Sequence, residues 1–294
     1  MTSQVSGDAP VSERVRAAWR PFSVAWSGGE IAAFEAGRAG AGAPALVLVH
    51  GMGHWTQAAW DVLAAAFEPT HRVIAFDLPG FGASAKPDAP YTLERFTNAL
   101  RAVVDVAAPG RYALAGHSLG GLIAANFAAS YADEVRQLTL LDPAGFLRTP
   151  TLALRVAGSR PVTALFRRIR PSARFVRRTL ERAVFDPRSV PADHYARAVE
   201  LGRDPEVTRA FVRVYAGAMQ ELLHMRALHE RLAAYRGPAL IVWGRQDRYV
   251  PVRALAAARR VYPHADVLEI DRCGHCPSVE YPELVAARMR AGGA

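Results

Sequence analysis

Residues 112–130 constrain the chain more than any other stretch. The apolar run Tyr112-Ala113-Leu114-Ala115 has the length of a buried strand, and the Ala- and Leu-rich residues 119–130 read as a helix. Between them stands Gly116-His117-Ser118-Leu119-Gly120. A side chain on so abrupt a strand-to-helix turn is held out from the backbone, and glycines two positions to either side let neighbouring chain pass close to it. The first N–H groups of the helix and the positive end of its dipole favour a negative charge developing nearby. Ser118 is therefore the expected nucleophile.

Strand and helix patterns alternate around this turn. Residues 22–26 and 31–35 read as a hairpin joined by Ser27-Gly28-Gly29-Glu30. Strands are expected at 45–49, 72–76, 112–115 and 135–141, with helices at 60–67, 91–106 and 119–130 between them. Continuous apolar runs such as Ala45-Leu-Val-Leu-Val49 suit strands buried on both faces, which argues for a parallel sheet covered by helices. From about residue 145 to 236 the alternation stops. Helical patterns at 164–170, 173–185, 192–201 and 205–235 follow one another, punctuated by Pro161, Pro171, Pro187 and Pro191. Alternation resumes with a strand at 239–243, a helix at 252–261, a strand at 266–270 and a last helix at 277–289. The expected organisation is a lead-in over 1–20, an α/β core from 21–144 and 237–294, and a helical insertion over 145–236. Such an insertion is expected to form a lid at the carboxyl ends of the strands.

The formal net charge of +9 sits in that insertion: residues 148–236 carry eighteen arginines and eight acids, leaving −1 for the rest of the chain. The arginines of Arg167-Arg168-Ile169-Arg170 and of 174–182 interleave with Leu165, Phe166, Phe175, Val176 and Leu180. The simplest reading is a solvated outer face of the lid, with a weak contact to an anionic membrane as the second reading and no nucleic-acid role. No run reaches about eighteen uncharged apolar residues and residues 1–20 hold no signal-like apolar core, so a cytoplasmic protein is expected. Two cysteines three positions apart give no disulfide framework.

A serine hydroxyl needs a base to take its proton, and the base needs an acid to fix its tautomer. Asp247, in Gly244-Arg-Gln-Asp247-Arg-Tyr-Val-Pro251, and His275, in Cys273-Gly274-His275-Cys276, both follow strands and so share an edge with Ser118. Asp142, also past a strand, is the alternative acid. An oxyanion hole is also required, each missing donor costing roughly 2.7–4 kcal/mol of transition-state stabilisation. Its expected donors are the N–H of Leu119 and that of Met52, in His50-Gly51-Met52-Gly53, with Gly51 as the alternative to Met52. His50, Gly51, His117 and Phe146 are expected beside bound substrate, and Phe146, Leu147, Phe166, Phe211 and Met219 to line an apolar pocket under the lid.

Taken together, His50-Gly51-x-Gly53, Asp77-x-Pro79-Gly80-x-Gly82-x-Ser84, Gly116-x-Ser118-x-Gly120-Gly121, Gly244-x-x-Asp247-x-x-x-Pro251 and Gly274-His275 resemble the α/β-hydrolase-fold serine hydrolases that carry a helical cap, of the carboxylesterase and lipase type. The resemblance spans residues 45–285. It implies a mostly parallel eight-stranded sheet, with Ser118 as nucleophile, His275 as base then acid and Asp247 as orienting acid, and neither cofactor nor metal. Relatives that open epoxides or cleave carbon–halogen bonds use Asp at the elbow, where this chain has Ser118. Carbon–carbon bond hydrolases typically show Asn before the serine and Trp after the histidine, where this chain has His117 and Cys276; proline-releasing peptidases usually show Trp where it has Leu119. Hydrolysis of a hydrophobic small-molecule ester is the expectation, with carbon–carbon cleavage of a diketone-like acid, or a non-catalytic ligand-binding protein, as alternatives.

Two rival motifs are set aside. Cys273-Gly-His-Cys276 has redox spacing, but only eighteen residues follow it, too few for the βαβ unit such a motif opens. His50 and His54 lie four apart without an intervening acid or a third ligand.

Overall fold

Six short apolar runs form the parallel part of one sheet. The computed structural model describes residues 15–38, 42–53, 55–147, 156, 159 and 171–294. Its strands are β1 (Arg20–Trp26), β2 (Gly29–Gly37), β3 (Ala45–Val49), β4 (Arg72–Phe76), β5 (Tyr112–His117), β6 (Val135–Leu141), β7 (Ala239–Gly244) and β8 (Asp266–Ile270). Among the described residues they make one eight-stranded sheet in the order β1-β2-β4-β3-β5-β6-β7-β8. β1 and β2 pair antiparallel to each other, β2 pairs antiparallel to β4, and every later pairing is parallel. The central strands are buried along their whole length, as strands covered on both faces must be.

Two apolar layers cover the sheet. On one face α1 (Thr56–Phe67) sets Trp60, Leu63 and Phe67 against β3, β4 and the C-terminal helix. On the other, α2 (Leu93–Ala107) and α3 (Leu119–Ser130) pack Leu100, Val103, Ile123 and Phe127 into the larger cluster. α2 is amphipathic, and the Thr92 hydroxyl caps it by accepting from the Arg95 N–H at 3.1 Å. α3 is apolar all round because it lies beneath the sheet, α2 and the insertion at once.

The turn between β5 and α3 is packed backbone against backbone. A Cβ at Gly120 would lie 2.1 Å from the Val49 carbonyl oxygen, and one at Gly116 would lie 2.3 Å from the Gly120 oxygen. Neither neighbour is a flexible side-chain tip. Gly120→Ala is therefore expected to destabilise the protein by about 3 kcal/mol or more, read as a lowered urea midpoint with an unchanged slope.

The insertion leaves the core after β6 and returns into β7. Its described part holds α4 (Ala173–Ala183), α5 (Ala192–Arg203), α6 (Pro205–Glu221) and α7 (Met225–Leu232), and no strand. The helix expected at 164–170 lies outside the described residues, as do His54 and Phe166. The single helix expected over 205–235 is interrupted by a 3₁₀ turn at Leu222–His224. The break lets α6 press Gly217 onto the Tyr91 backbone, where a Cβ would meet the Tyr91 oxygen at 1.9 Å, while α7 turns Leu228 and Leu232 into the core. α4 faces Val176, Leu180 and Ala183 inward and its arginines outward, with Phe175 exposed beside them.

After α8 (Leu255–Val261) and β8, the last helix expected over 277–289 is two: α9 (Pro277–Glu280) and α10 (Pro282–Ala291). Pro282 lacks the N–H to continue α9, and Tyr281 before it leaves the helical region at φ −134°, ψ 52°. Among the described residues no helix is long and apolar enough to cross a membrane.

Candidate active site

Ser118 stands at the join of β5 and α3 with φ +54°, ψ −117°. A non-glycine residue there carries roughly 1–3 kcal/mol of strain, held by its surroundings. Its N–H donates to the Leu141 oxygen at 2.9 Å, and its own carbonyl accepts from Leu122 and Ala144. The loop after β3 passes directly over it: a Cβ at Gly51 would sit 3.0 Å from Ser118 Cβ. Glycine at position 51 is what permits this approach.

The loops after β7 and β8 bring Asp247 and His275 together. His275 Nδ1–H donates to Asp247 Oδ2 at 2.6 Å, with both residues buried. Asp247 Oδ1 accepts from the N–H groups of Tyr249 at 2.7 Å and Val250 at 2.9 Å, so the carboxylate is held from both sides. The two loops can touch because Gly244 has no side chain; a Cβ there would lie 1.9 Å from the Gly274 oxygen. Gln246, which the motifs did not single out, laces them further, its N–H donating to the Cys273 oxygen and its side-chain oxygen accepting from the Cys273 N–H. Of the expected hydrogen-bonded line, the His275–Asp247 half is formed; among the described residues the Ser118 hydroxyl makes no hydrogen bond. Contacts to a nucleophile commonly tighten only with substrate bound.

His50 and His117 flank this site. Both are buried, and each ring is committed to backbone. His50 Nδ1–H donates to the Gly51 oxygen at 2.7 Å while Nε2 accepts from the Leu78 N–H at 2.9 Å, which fixes the neutral tautomer; burial lowers the pKa in the same sense. Because the Gly51 carbonyl points at His50, the Met52 N–H of the same planar peptide points the opposite way. His117 Nε2–H donates to the His275 oxygen at 2.5 Å, tying the elbow to the histidine loop. The two rings thus hold backbone on either side of Ser118, that of His117 packed against the His275 ring with centroids 4.8 Å apart.

The expectation for Phe146 is corrected. It is fully buried, stacked on His229 of α7 with ring centroids 5.5 Å apart and edge-on to Tyr262, so it packs the base of the insertion instead of lining a pocket. Phe211 of α6 does overlie the loop after β3, 3.4 Å from where a Cβ of Gly53 would be. The Asp77–Ser84 motif is structural: Asp77 accepts from the Thr56 and Ala83 N–H groups, and Gly82, at φ +48°, leaves room for the Asp77 carboxylate.

Two acids near the histidine loop complete the picture. Asp142, the alternative acid, is fully buried and lies beside Asp247, not in its place. Glu280 in α9 accepts from the Gly274 N–H at 2.8 Å and the Phe185 N–H at 2.7 Å, while the His275 N–H donates to the Ala183 oxygen at 2.6 Å. The insertion is thereby fastened to the chain on either side of His275. Sequence reasoning missed Glu280; the signal was an acid five residues past His275, on a turn otherwise uncharged. Cys273 and Cys276 are both buried with free thiols, and burial followed by the Glu280 charge pushes each thiol well up, which makes thiolate chemistry unfavourable. Asp142, Asp247 and His275 are the one group of three among the described residues whose ligand atoms all lie within 4.8 Å of one another. With its Nδ1 proton donated to Asp247, His275 offers no lone pair at that nitrogen to a cation.

Burial raises Glu280 from 4.5 to about 7. A carboxyl whose folded value lies above its unfolded one favours the folded state fully below 4.5, and that contribution is lost as pH rises through 7. The span corresponds to roughly 3 kcal/mol. Glu280→Gln, which stays neutral, is expected to flatten the fall in Tm between those pH values.

A profile of the alpha/beta hydrolase family matches residues 46–288, most of the chain. The chain belongs to the alpha/beta hydrolase family. Within that family it is 30% identical over 256 residues to the 2-hydroxy-6-oxononadienedioate/2-hydroxy-6-oxononatrienedioate hydrolase of Burkholderia vietnamiensis, covering 83% of this chain and 85% of that one. The crystal structure of a bacterial membrane phospholipase A superposes with a TM-score of 0.78 at 27% identity, covering 93% of this chain and 85% of that one. A 2-hydroxy-6-oxo-6-phenylhexa-2,4-dienoate hydrolase from Rhodococcus sp. strain RHA1 gives a TM-score of 0.76 at 22% identity, covering 93% and 99%, a likeness of fold. The proteins to which this chain is similar thus include both a phospholipase and hydrolases of 2-hydroxy-6-oxo acids.

Proposed function

We propose that this alpha/beta hydrolase cleaves a carboxylic ester of an apolar small molecule through an acyl-enzyme. The observation that carries the reading is the 2.6 Å His275–Asp247 hydrogen bond at the strand ends that also carry the strained Ser118. Ser118 Oγ attacks the ester carbon as His275 Nε2 takes its proton, and Asp247 steadies the resulting imidazolium through Nδ1–H. The N–H groups of Leu119 and Met52 receive the oxyanion. His275 returns the proton to the departing alcohol, and a water deprotonated by His275 then releases the acid.

An apolar slot supports the choice of substrate class. Gly53, Trp55, Leu180, Val184 and Cys276 line it, between the residue after Met52 and the residue after His275. If an acyl chain lies there, kcat/KM rises about fourfold per added methylene while the slot fills, from about 0.8 kcal/mol per buried CH₂. Leu180→Trp is expected to flatten that rise. The test is a panel of p-nitrophenyl esters of graded chain length beside a ring-cleavage diketone, comparing wild type with Ser118→Ala. Ester turnover lost in the variant supports the reading; turnover of the diketone alone transfers it to carbon–carbon hydrolysis.

A further inference from the structure

The loop after β6 places a second carboxyl against the triad acid, and the surroundings of the two are unequal. Asp247 is served by three donors: the N–H groups of Tyr249 and Val250 on one oxygen and His275 Nδ1–H on the other. Asp142 has a single donor, the Gly244 N–H at 3.0 Å to Oδ1. Its Oδ2 is buried without a donor facing it, because the neighbouring Asp247 is itself an acceptor. Asp142 is wholly shielded from solvent, and it holds a left-handed φ of +43°, clamped by its own N–H on the Val242 oxygen. Two carboxylates cannot share so small a dry space with both charged. The three donors stabilise charge on Asp247, so the proton belongs on its neighbour.

We propose that Asp142 is a protonated positioning residue, whose Oδ2–H donates to the Asp247 carboxylate and fixes it for His275. This rests on the acyl-enzyme reading for its consequence in turnover, but not for the proton itself. Burial, then the Asp247 charge, drives Asp142 well above the ordinary carboxylate range, and Glu280 acts in the same direction. The other titratable groups near it are His275, Cys273 and Cys276, and both thiols are pushed toward the neutral form. A proton donated to Asp247 makes that carboxylate a weaker base. The Nδ1 proton then stays on the imidazole when the imidazolium forms, and His275 releases its Nε2 proton more readily.

Two variants and one spectrum separate this from a merely structural or a charged Asp142. Asn keeps an N–H donor toward Asp247, an oxygen for Gly244 and tolerance of positive φ. Asp142→Asn is therefore expected to hold kcat/KM within about threefold, whereas Asp142→Ala loses roughly tenfold or more. In Asp142→Ala the acidic limb of the kcat/KM profile moves to higher pH, because an undamped Asp247 favours the imidazolium. The deuterium-sensitive C=O stretch of a protonated carboxyl is expected in wild type at alkaline pH, where Glu280 is ionised, and is absent from Asp142→Asn. A tenfold loss in Asp142→Asn with the limb moved to lower pH, or identical carboxyl spectra for wild type and Asp142→Asn, would overturn the proposal. The spectrum needs no turnover, so a wild type without esterase activity would defeat the acyl-enzyme reading while leaving the shared proton standing.

Discussion

Ser118→Ala is expected to lower kcat for ester hydrolysis by about 10⁶-fold, the scale observed when a triad serine is removed. The loss is large because the covalent route disappears altogether, while the oxyanion donors and the apolar slot retain only their own contribution. The exchange removes one half-buried oxygen that makes no hydrogen bond among the described residues, so the fold does not depend on it. Thermal unfolding of the variant should match wild type, since alanine keeps the Cβ and with it the same backbone strain. Equal activity in Ser118→Ala would mean that another group attacks.

Asp247→Asn is expected to cost about 10⁴-fold in kcat with little change in KM. The geometry says why. The Tyr249 and Val250 N–H groups require an oxygen at Oδ1, so the new amide must turn its NH₂ toward His275 Nδ1. His275 then presents a lone pair at Nδ1 and its proton at Nε2, the tautomer that cannot take a proton from Ser118. The deficit should shrink as pH rises, because hydroxide can replace the missing base. Single-turnover measurements on a p-nitrophenyl ester would place the loss in acylation.

The sheet was legible because its strands are short, apolar-rich and set between helical patterns: β3, β4, β6 and β8 begin and end at the residues expected from the sequence. Helix breaks were legible only where a residue enforced them. Pro282 should have split the last helix at sequence level, since its ring forbids the fourth-back hydrogen bond. The turn at Leu222–His224 carries no such residue; it exists because α6 and α7 must meet different surfaces, which is tertiary information. Ser118, Asp247 and His275, which we propose as the triad, could be picked out because chain order and strand ends restrict such residues. Their supports could not. His50 and His117 look like chemistry in a motif, yet backbone carbonyls claim their rings, and only coordinates show that. Asp142 reads as a rival to Asp247 along the chain and becomes its neighbour in space, because β6 and β7 are adjacent in the sheet.

The most direct test is intact-mass and peptide analysis after reaction with a fluorophosphonate. A single adduct on Ser118 is expected, absent in Ser118→Ala and strongly slowed in His275→Ala. A wild-type protein that stays unlabelled, or carries its adduct elsewhere, would contradict the account.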